Sequence, residues 1–271
     1  MAEVTPIRTE ATVVENRAEG GANRRLVLRV EGWPGFGPGQ FVMVSPGARA
    51  AVRRTDPLLP RPMAVFRARG ENGAADVEIL FKVTGRGTGL LAETLPGQRI
   101  GMVGPLGRSF DLPAPGERAI LVAGGTGIAS VFEFAGRSCR EAAVSVLLGA
   151  RTAGDLMGVA DFEGLGVELE IATEDGSSGK RGLVTVLLEE ALAQAGDARV
   201  YACGPTPMMR RCAELAAERG WSCVVSLENH MACWFGVCLG CAAPLREGGY
   251  ALVCRDGPMF DAGAVKWEGL P

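Results

Sequence analysis

Ala119-Ile120-Leu121-Val122-Ala123-Gly124-Gly125-Thr126-Gly127-Ile128 is the stretch on which the reading of this chain turns. Five apolar residues without a polar break describe a strand buried on both faces, as in a parallel sheet. The glycines that follow make a tight turn, and Ile128 to about Cys139 continues with helical spacing. A strand that turns through glycines into a helix is half of a βαβ unit. Backbone N–H groups at the start of a helix favour phosphate, and glycine lets a phosphate come close. Taken alone, the run has two readings: a turn that needs glycine, or a nucleotide loop. It is no P-loop, because no Gly-Lys-Ser/Thr follows, and Ser130 stands where a dinucleotide fingerprint has its third glycine.

Towards the C-terminus the same texture repeats. Ala143 to Leu148, Val167 to Ala172 and Arg199 to Ala202 read as strands, and Val184 to Ala195 and Pro207 to Arg219 as helices. Alternation of this kind predicts a doubly wound α/β domain. Tyr201-Ala202-Cys203-Gly204-Pro205-Thr206-Pro207-Met208-Met209 ends one of these strands and opens a helix. Two loops at the carboxyl ends of strands would face one crevice, where open α/β sheets bind ligands.

Towards the N-terminus, Val4 to about Leu112 breaks into short β-branched or alternating runs: Ala11 to Val14, Arg25 to Val30, Gln40 to Val44 and Val77 to Val83. Trp33-Pro34-Gly35-Phe36-Gly37-Pro38-Gly39 is a turn-rich connector. This spacing predicts a small antiparallel β-barrel. Arg61-Pro62-Met63-Ala64 and Lys82-Val83-Thr84-Gly85-Arg86-Gly87-Thr88 combine cations with turn residues, as solvated loops or ligand contacts would.

Beyond Ser222 the cysteines crowd. Cys233, Cys238 and Cys241 stand in C-x4-C-x2-C spacing, and Cys254 follows after twelve residues. That is the pattern of plant-type [2Fe–2S] sites, where four thiolates converge on two irons, three of them from one tight loop. Gly236 and Gly240 are expected to let that loop turn. The competing reading is a structural zinc bound by four cysteines, although zinc loops usually carry a second C-x2-C knuckle, absent here. Cys139, Cys212 and Cys223 read as small buried hydrophobes.

The 271 residues accommodate about two domains of ~150 residues with an appendage. The divisions expected are 1–112 for the barrel, 113–222 for the α/β domain and 223–271 for the cysteine lobe. With 47% hydrophobic and 22% charged residues the chain is globular rather than disordered. A net charge of −3, spread along the chain, argues against nucleic acid as a partner. The lack of a long apolar run argues against a membrane span. Met1 to Pro6 lacks a signal-peptide pattern, so the expected location is the cytoplasm, where eight cysteines point to metal or redox chemistry rather than disulfides. The single histidine, His230, excludes a multi-His metal site and argues against a His-based triad.

Taken in order, these motifs resemble the ferredoxin-reductase superfamily. Within it they are most similar to the electron-transfer subunits of the two-subunit, NAD-linked dihydroorotate dehydrogenases. The resemblance spans nearly the whole chain. It is most specific at Ser226-Leu227-Glu228-Asn229-His230-Met231-Ala232-Cys233 and Val253-Cys254-Arg255-Asp256-Gly257-Pro258-Met259-Phe260. It implies an FAD-binding barrel, a nicotinamide-binding α/β domain and a [2Fe–2S] lobe. On this comparison Arg61, Pro62, Met63 and Ala64 would hold the flavin and its pyrophosphate, with Leu80, Phe81, Lys82, Gly87 and Thr88 holding the rest of FAD. Gly124, Gly125, Thr126 and Gly127 would flank NAD(H) together with Cys203, Gly204 and Pro205, Cys203 lying near the hydride path as a catalytic residue. Cys233, Cys238, Cys241 and Cys254 would ligate the cluster. Three positions depart from the family: Ala64 replaces Ser or Thr, Trp234 replaces glycine, and His230 replaces a basic residue.

A chain holding both flavin and [2Fe–2S] converts two-electron into one-electron traffic. The resemblance names the partner as a flavin-containing catalytic subunit that oxidises dihydroorotate to orotate in pyrimidine synthesis, in a heterotetramer, with electrons passing through the cluster and FAD to NAD⁺. Two other readings stand beside it. One is a flavin and iron–sulfur NAD(P)H-oxidoreductase subunit of a sulfhydrogenase or of a ferredoxin–NADP transhydrogenase. The other is a zinc-stabilised binding module without redox chemistry. Arg151, after the second α/β strand, is a candidate contact for a 2′-phosphate, whereas the family comparison favours NAD.

Overall fold

The computed structural model describes residues 4–48, 56–71, 73–194 and 196–270. Among these, the first unit is an antiparallel sheet of seven strands: β1 (Ile7–Gly20), β2 (Asn23–Glu31), β3 (Phe41–Val44), β4 (Arg61–Ala64), β5 (Arg67–Glu71), β6 (Ala74–Lys82) and β7 (Arg99–Leu106). Helix α1 (Arg86–Ala92) lies between β6 and β7. The strand order is β4-β3-β7-β1-β2-β6-β5. The sheet curls until its ends meet. Between β4 and β5, Val65 donates its N–H to the Gln40 carbonyl (3.1 Å) and Phe66 to that of Glu78 (2.9 Å). Alternation fills the interior: Leu26, Leu28 and Val30 face Val77, Ile79 and Phe81, all at most 2% exposed. Each such side chain stabilises the fold by roughly 1.5–3 kcal/mol through burial.

Two expectations for this region change. Arg61–Ala64 is not a loop but strand β4, paired in register with β3 from Phe41↔Ala64 to Val44↔Arg61. Proline sits there without cost to the ladder because β4 is the outermost strand. Strands β5 and β7 had no expected counterpart, because glycine and charge interrupt their apolar alternation.

The second unit is a sheet of order β11-β10-β9-β8-β12-β13-β16. Its parallel members are β8 (Arg118–Gly124), β9 (Ala143–Ala150), β10 (Glu168–Thr173), the two-residue β11 (Lys180–Arg181), β12 (Ala198–Cys203) and β13 (Cys223–Ser226). The helices are α2 (Ile128–Ser138), α3 (Val159–Glu163), α4 (Val184–Gln194) and α5 (Thr206–Glu218). Ala195, the expected end of α4, lies outside the described residues. The continuous apolar run of β8 is explained by packing on both faces. Ala119 and Leu121 join the core under α2, while Ile120 and Val122 join the one under α4 and α5, all four wholly buried. The chain leaves β8 for β9 on one side and returns for β12 on the other, so a crevice opens at the carboxyl ends of β8 and β12.

The last unit begins later than expected. Cys223–Ser226, assigned in sequence to the cysteine lobe, is the sixth parallel strand, paired from Val200↔Cys223 to Cys203↔Ser226. From Ser226 the chain leaves the sheet and forms the cysteine loop and the small pair β14 (Ala242–Pro244) and β15 (Tyr250–Leu252). It then returns as β16 (Met259–Asp261), antiparallel to β13, with Met259 opposite Ser226. Cys212 and Cys223 are buried as expected, but Cys139 is only half-buried, its thiol donating to the Gly136 carbonyl at the end of α2.

Candidate functional site

The two glycine loops interlock. A Cβ on Gly127 would lie 2.3 Å from the Cys203 carbonyl oxygen and 2.7 Å from the Gly204 nitrogen, so only glycine permits this approach. Beside the loops is a cavity of about 850 Å³, lined by Gly124, Gly125, Thr126, Gly204 and Pro205. Arg151 and Glu174 line it at the ends of β9 and β10. The structure therefore brings together the expected nucleotide residues, with two exceptions. Gly127 packs against the neighbouring backbone, and Cys203 is wholly buried behind it. Burial pushes the Cys203 thiol up to about 12, Glu228 adds to the rise, and the Ser130 and Ser226 hydroxyls oppose it. The thiol is therefore neutral at physiological pH, and its place is beneath the crevice, against two serines that line the adjoining cavity.

That second cavity, about 370 Å³, runs between β4, β6 and the segment after β13. Pro62, Met63, Ala64, Leu80, Phe81, Lys82 and Thr88 line it, seven of the nine residues expected to hold FAD. Backbone alternation decides what each presents. Met63 and Phe81 turn their side chains into the barrel core, and Leu80 packs against the α/β core, so all three offer mainly backbone. The other two expected residues form a cradle nearby: the Arg61 guanidinium lies where a Cβ on Gly87 would stand, within 2.7–2.9 Å. Thr88 shapes this cradle, its hydroxyl accepting from the N–H groups of Thr84 (3.0 Å) and Gly85 (3.2 Å). A guanidinium beside a glycine turn fits a pyrophosphate.

Lys82, Thr84, Thr126 and Glu228 line both cavities and so mark where the two meet. The Lys82 ammonium pairs with Asp155 at 2.6 Å, and this hydrogen bond holds the Asp155 carboxyl below its ordinary range. Glu228 has no role that the motifs of the sequence assign to it. It lines the two cavities with much of its surface open to them, and the surrounding protein still desolvates it and raises its pKa. Nothing in the sequence marks Glu228 apart from any acid after an apolar strand.

From Glu228, the residues Asn229 and Met231 carry the lining of the FAD-side cavity towards the cysteine loop. There the thiols fall into two pairs, Cys233 with Cys238 and Cys241 with Cys254, and the Cys233 and Cys254 charges also feel one another. N–H groups of Val237 and Cys238 point at the Cys233 sulfur (3.3 Å each), and that of Cys254 at the Cys241 sulfur (3.5 Å). Desolvation raises the Cys233 thiol, but the backbone N–H groups of Cys238, Phe235 and Val237 outweigh it and bring it down to about 6. Burial pushes Cys254 up to about 12, with Cys241 adding to it. Among the described residues no three His, Cys, Asp or Glu side chains converge on a single ion position. Two thiol pairs ringed by amide donors fit two irons sharing four thiolates.

The loop reaches this shape otherwise than expected. Gly236 does turn through a positive φ (84°), but Gly240 does not; Trp234 and Leu239, both at φ 60°, take the other left-handed positions. Phe235, Val237 and Leu239 leave 58%, 70% and 62% of their surfaces exposed around the thiols. A third cavity, about 900 Å³, borders Phe235, Cys254 and Arg255 on the same side. Among the described residues no helix is long and apolar enough to cross a membrane.

Comparison with known proteins agrees with this geometry. Residues 228–266 match the iron–sulfur cluster binding domain of dihydroorotate dehydrogenase B, and residues 121–214 an oxidoreductase NAD-binding domain. The dihydroorotate dehydrogenase B (NAD(+)) electron transfer subunit of Desulforamulus reducens is 38% identical over 85% of this chain and 87% of its own. The corresponding subunit of Bacillus caldolyticus is 40% identical over 84% and 86%. Among solved structures, an NADH-dependent reduced ferredoxin–NADP oxidoreductase, studied for flavin-based electron bifurcation, superposes with a TM-score of 0.84 at 27% identity, covering 96% of this chain and 91% of its own.

Proposed function

This chain belongs to the family of dihydroorotate dehydrogenase B electron transfer subunits, and from that premise we propose how its residues divide the work of moving electrons to NAD⁺. It is an oxidoreductase subunit that uses FAD, a [2Fe–2S] cluster and NAD(H), and it pairs with the dihydroorotate-oxidising catalytic subunit. When bound, the flavin exchanges a hydride with the nicotinamide and single electrons with the cluster. One observation carries the division of labour: the nucleotide crevice, the FAD-side cavity and the cysteine loop lie in a row, joined by Lys82, Thr126 and Glu228 at the first junction and by Asn229 and Met231 at the second.

In this reading the interlocked loops Gly124–Gly127 and Cys203–Pro205 seat the nicotinamide nucleotide. Arg61 against Gly87 neutralises the FAD pyrophosphate, and the backbone of β4 and β6 borders the flavin. Lys82 and Glu228 place an ammonium and a carboxyl group where flavin and nicotinamide would meet. Neutral, buried Cys203 gives that place a firm floor without a competing nucleophile. Cys233, Cys238, Cys241 and Cys254 hold the cluster, and their N–H donors stabilise thiolate charge. The exposed ring of Phe235, Val237 and Leu239 supports docking of the catalytic subunit over the cluster, since a patch of this kind is normally covered. A heterotetramer and a cytoplasmic location complete the reading, a reducing compartment keeping the cluster thiols free.

The test is to purify the chain anaerobically with its partner and add dihydroorotate while recording the visible spectrum. The expected result is bleaching of the flavin and cluster bands, restored by NAD⁺. A coloured sample that ignores dihydroorotate but is bleached by NADH would overturn the assigned donor and direct the search to another electron-transferring complex.

A further inference from the structure

Between the barrel and the α/β unit lies a closed ring of charges. Arg25 on β2 donates through Nη1 to Glu78 Oε2 (2.8 Å) and through Nη2 to Asp161 Oδ2 (2.5 Å). Arg67 on β5 donates through Nε to Glu78 Oε1 and through Nη1 to Asp161 Oδ1, both at 2.5 Å. All four carboxylate oxygens are thus taken, two by each guanidinium. Glu19 on β1 grips Arg25 from outside the ring (2.6 and 3.0 Å) and accepts the Gly158 N–H (3.2 Å). Arg25 is 2% exposed and Glu78 8%. Phe66 and Phe132 stack beneath at 4.2 Å, one from each unit, with Arg67 within 5.9 Å of both rings.

Such a ring is a poor stabiliser. Desolvating four charged groups costs about what their attraction returns, and apolar replacements of buried ion pairs are often neutral or better. What paired forks do supply is direction, because each guanidinium accepts its carboxylates in only one plane. The α/β partner in the ring, Asp161, is on α3, and the chain just before α3 reaches the nucleotide crevice. Asp155 and Met157 line that crevice, Asn23 on β2 donates to the Asp155 carbonyl (2.9 Å), and Asp155 pairs with Lys82 where the two cavities meet. The ring therefore ties the segment that borders the nicotinamide to the sheet that borders the flavin.

We propose that Arg25, Arg67, Glu78 and Asp161 are positioning residues for hydride transfer, fixing the separation of the flavin and nicotinamide sites by locking α3 to the barrel. The inference rests on the functional reading above. Hydride transfer needs reacting atoms about 3–3.5 Å apart, and a displacement of about 1 Å costs on the order of 100-fold in rate.

The experiment uses the full chain carrying FAD and cluster, with Asp161→Asn and, separately, Arg67→Met. NADH is mixed with each, and flavin bleaching is followed in time across NADH concentrations. If the proposal holds, the rate at saturating NADH falls about tenfold or more, while FAD content, iron content and the onward equilibration of flavin with cluster match the unmodified chain. Unchanged rates in both variants would overturn it. So would rates that fall only in step with lost FAD or a lowered melting temperature, since the ring would then be support alone. If the unmodified chain is not bleached by NADH, the functional reading fails and the inference with it. If it is bleached but the variants are equally fast, only the inference fails.

Discussion

Trp234 carries the clearest conflict between a residue and its place. At φ 60° it occupies the left-handed region, which costs an L side chain about 1–2 kcal/mol. Its indole packs against the apolar core and contacts Phe235, with ring centroids 5.8 Å apart, and so offsets part of that cost. Trp234→Ala loses the ring and keeps the backbone cost; Trp234→Gly loses both. The glycine variant is therefore expected to be the more stable of the two by about 1 kcal/mol, after allowing for glycine's freer unfolded chain. Thermal unfolding of the cluster-loaded proteins reads the difference, and equal midpoints would mean that the left-handed turn is not strained. Glu228 is the opposite case, a residue whose context is everything. Its desolvation comes from the walls of two cavities that no local pattern foretells.

At the scale of elements, the glycine turn after β8 and the loop after β12 act as one part. Gly127→Ala would drive a methyl group into the Cys203 carbonyl, a backbone atom that cannot swing aside. The two loops must then separate. The NADH concentration for half-maximal flavin bleaching is expected to rise roughly tenfold, equivalent to about 1.4 kcal/mol, with FAD and iron content unchanged. An unaltered half-saturation would remove these loops from the nucleotide site. The α/β half was legible where strands such as β8 and β9 are apolar runs and their loops carry glycine; the two-residue β11, Lys180–Arg181, has no apolar signal and was not. The barrel was less so. β4 looked like a loop because Arg61 and Pro62 carry no β signal, and it is a strand only because β3 pairs with it. That Cys233, Cys238, Cys241 and Cys254 would meet was readable from their spacing, since one loop holds three of them. The charge ring was not, because Arg25, Arg67, Glu78 and Asp161 meet only after β2, β5, β6 and α3 have packed.

At the scale of the whole molecule, the join between barrel and α/β unit is expected to weaken in acid. Burial tends to raise the Glu19 and Asp161 carboxyls, but the Arg25 guanidinium prevails and holds both below their ordinary values of 4.5 and 3.8. The unfolded chain therefore takes up these protons first. Their contribution to stability is complete above those ordinary values and is lost as pH falls through the lower folded ones. The melting temperature is expected to drop on acidification below about pH 4, and to drop less steeply in Asp161→Asn. Parallel profiles would show that the join does not titrate. The far side of the molecule is assembled on another plan. The chain departs from Ser226 and re-enters at Met259, two residues that face each other across one rung of the sheet. Everything between them, cysteines included, leaves and rejoins the sheet at that one rung, like a bracket slotted into a wall, and is braced by backbone hydrogen bonds from Arg108 to Gly257 and from Arg246 to Ala264. A reductase that already possessed β13 could acquire such a segment by one insertion, without reordering a strand. The wiring of this protein is thus open to change by exchange of one contiguous stretch of chain, which would replace Glu228, Asn229 and Met231 but leave the glycine loops of the crevice and the β4 and β6 walls of the flavin side as they are.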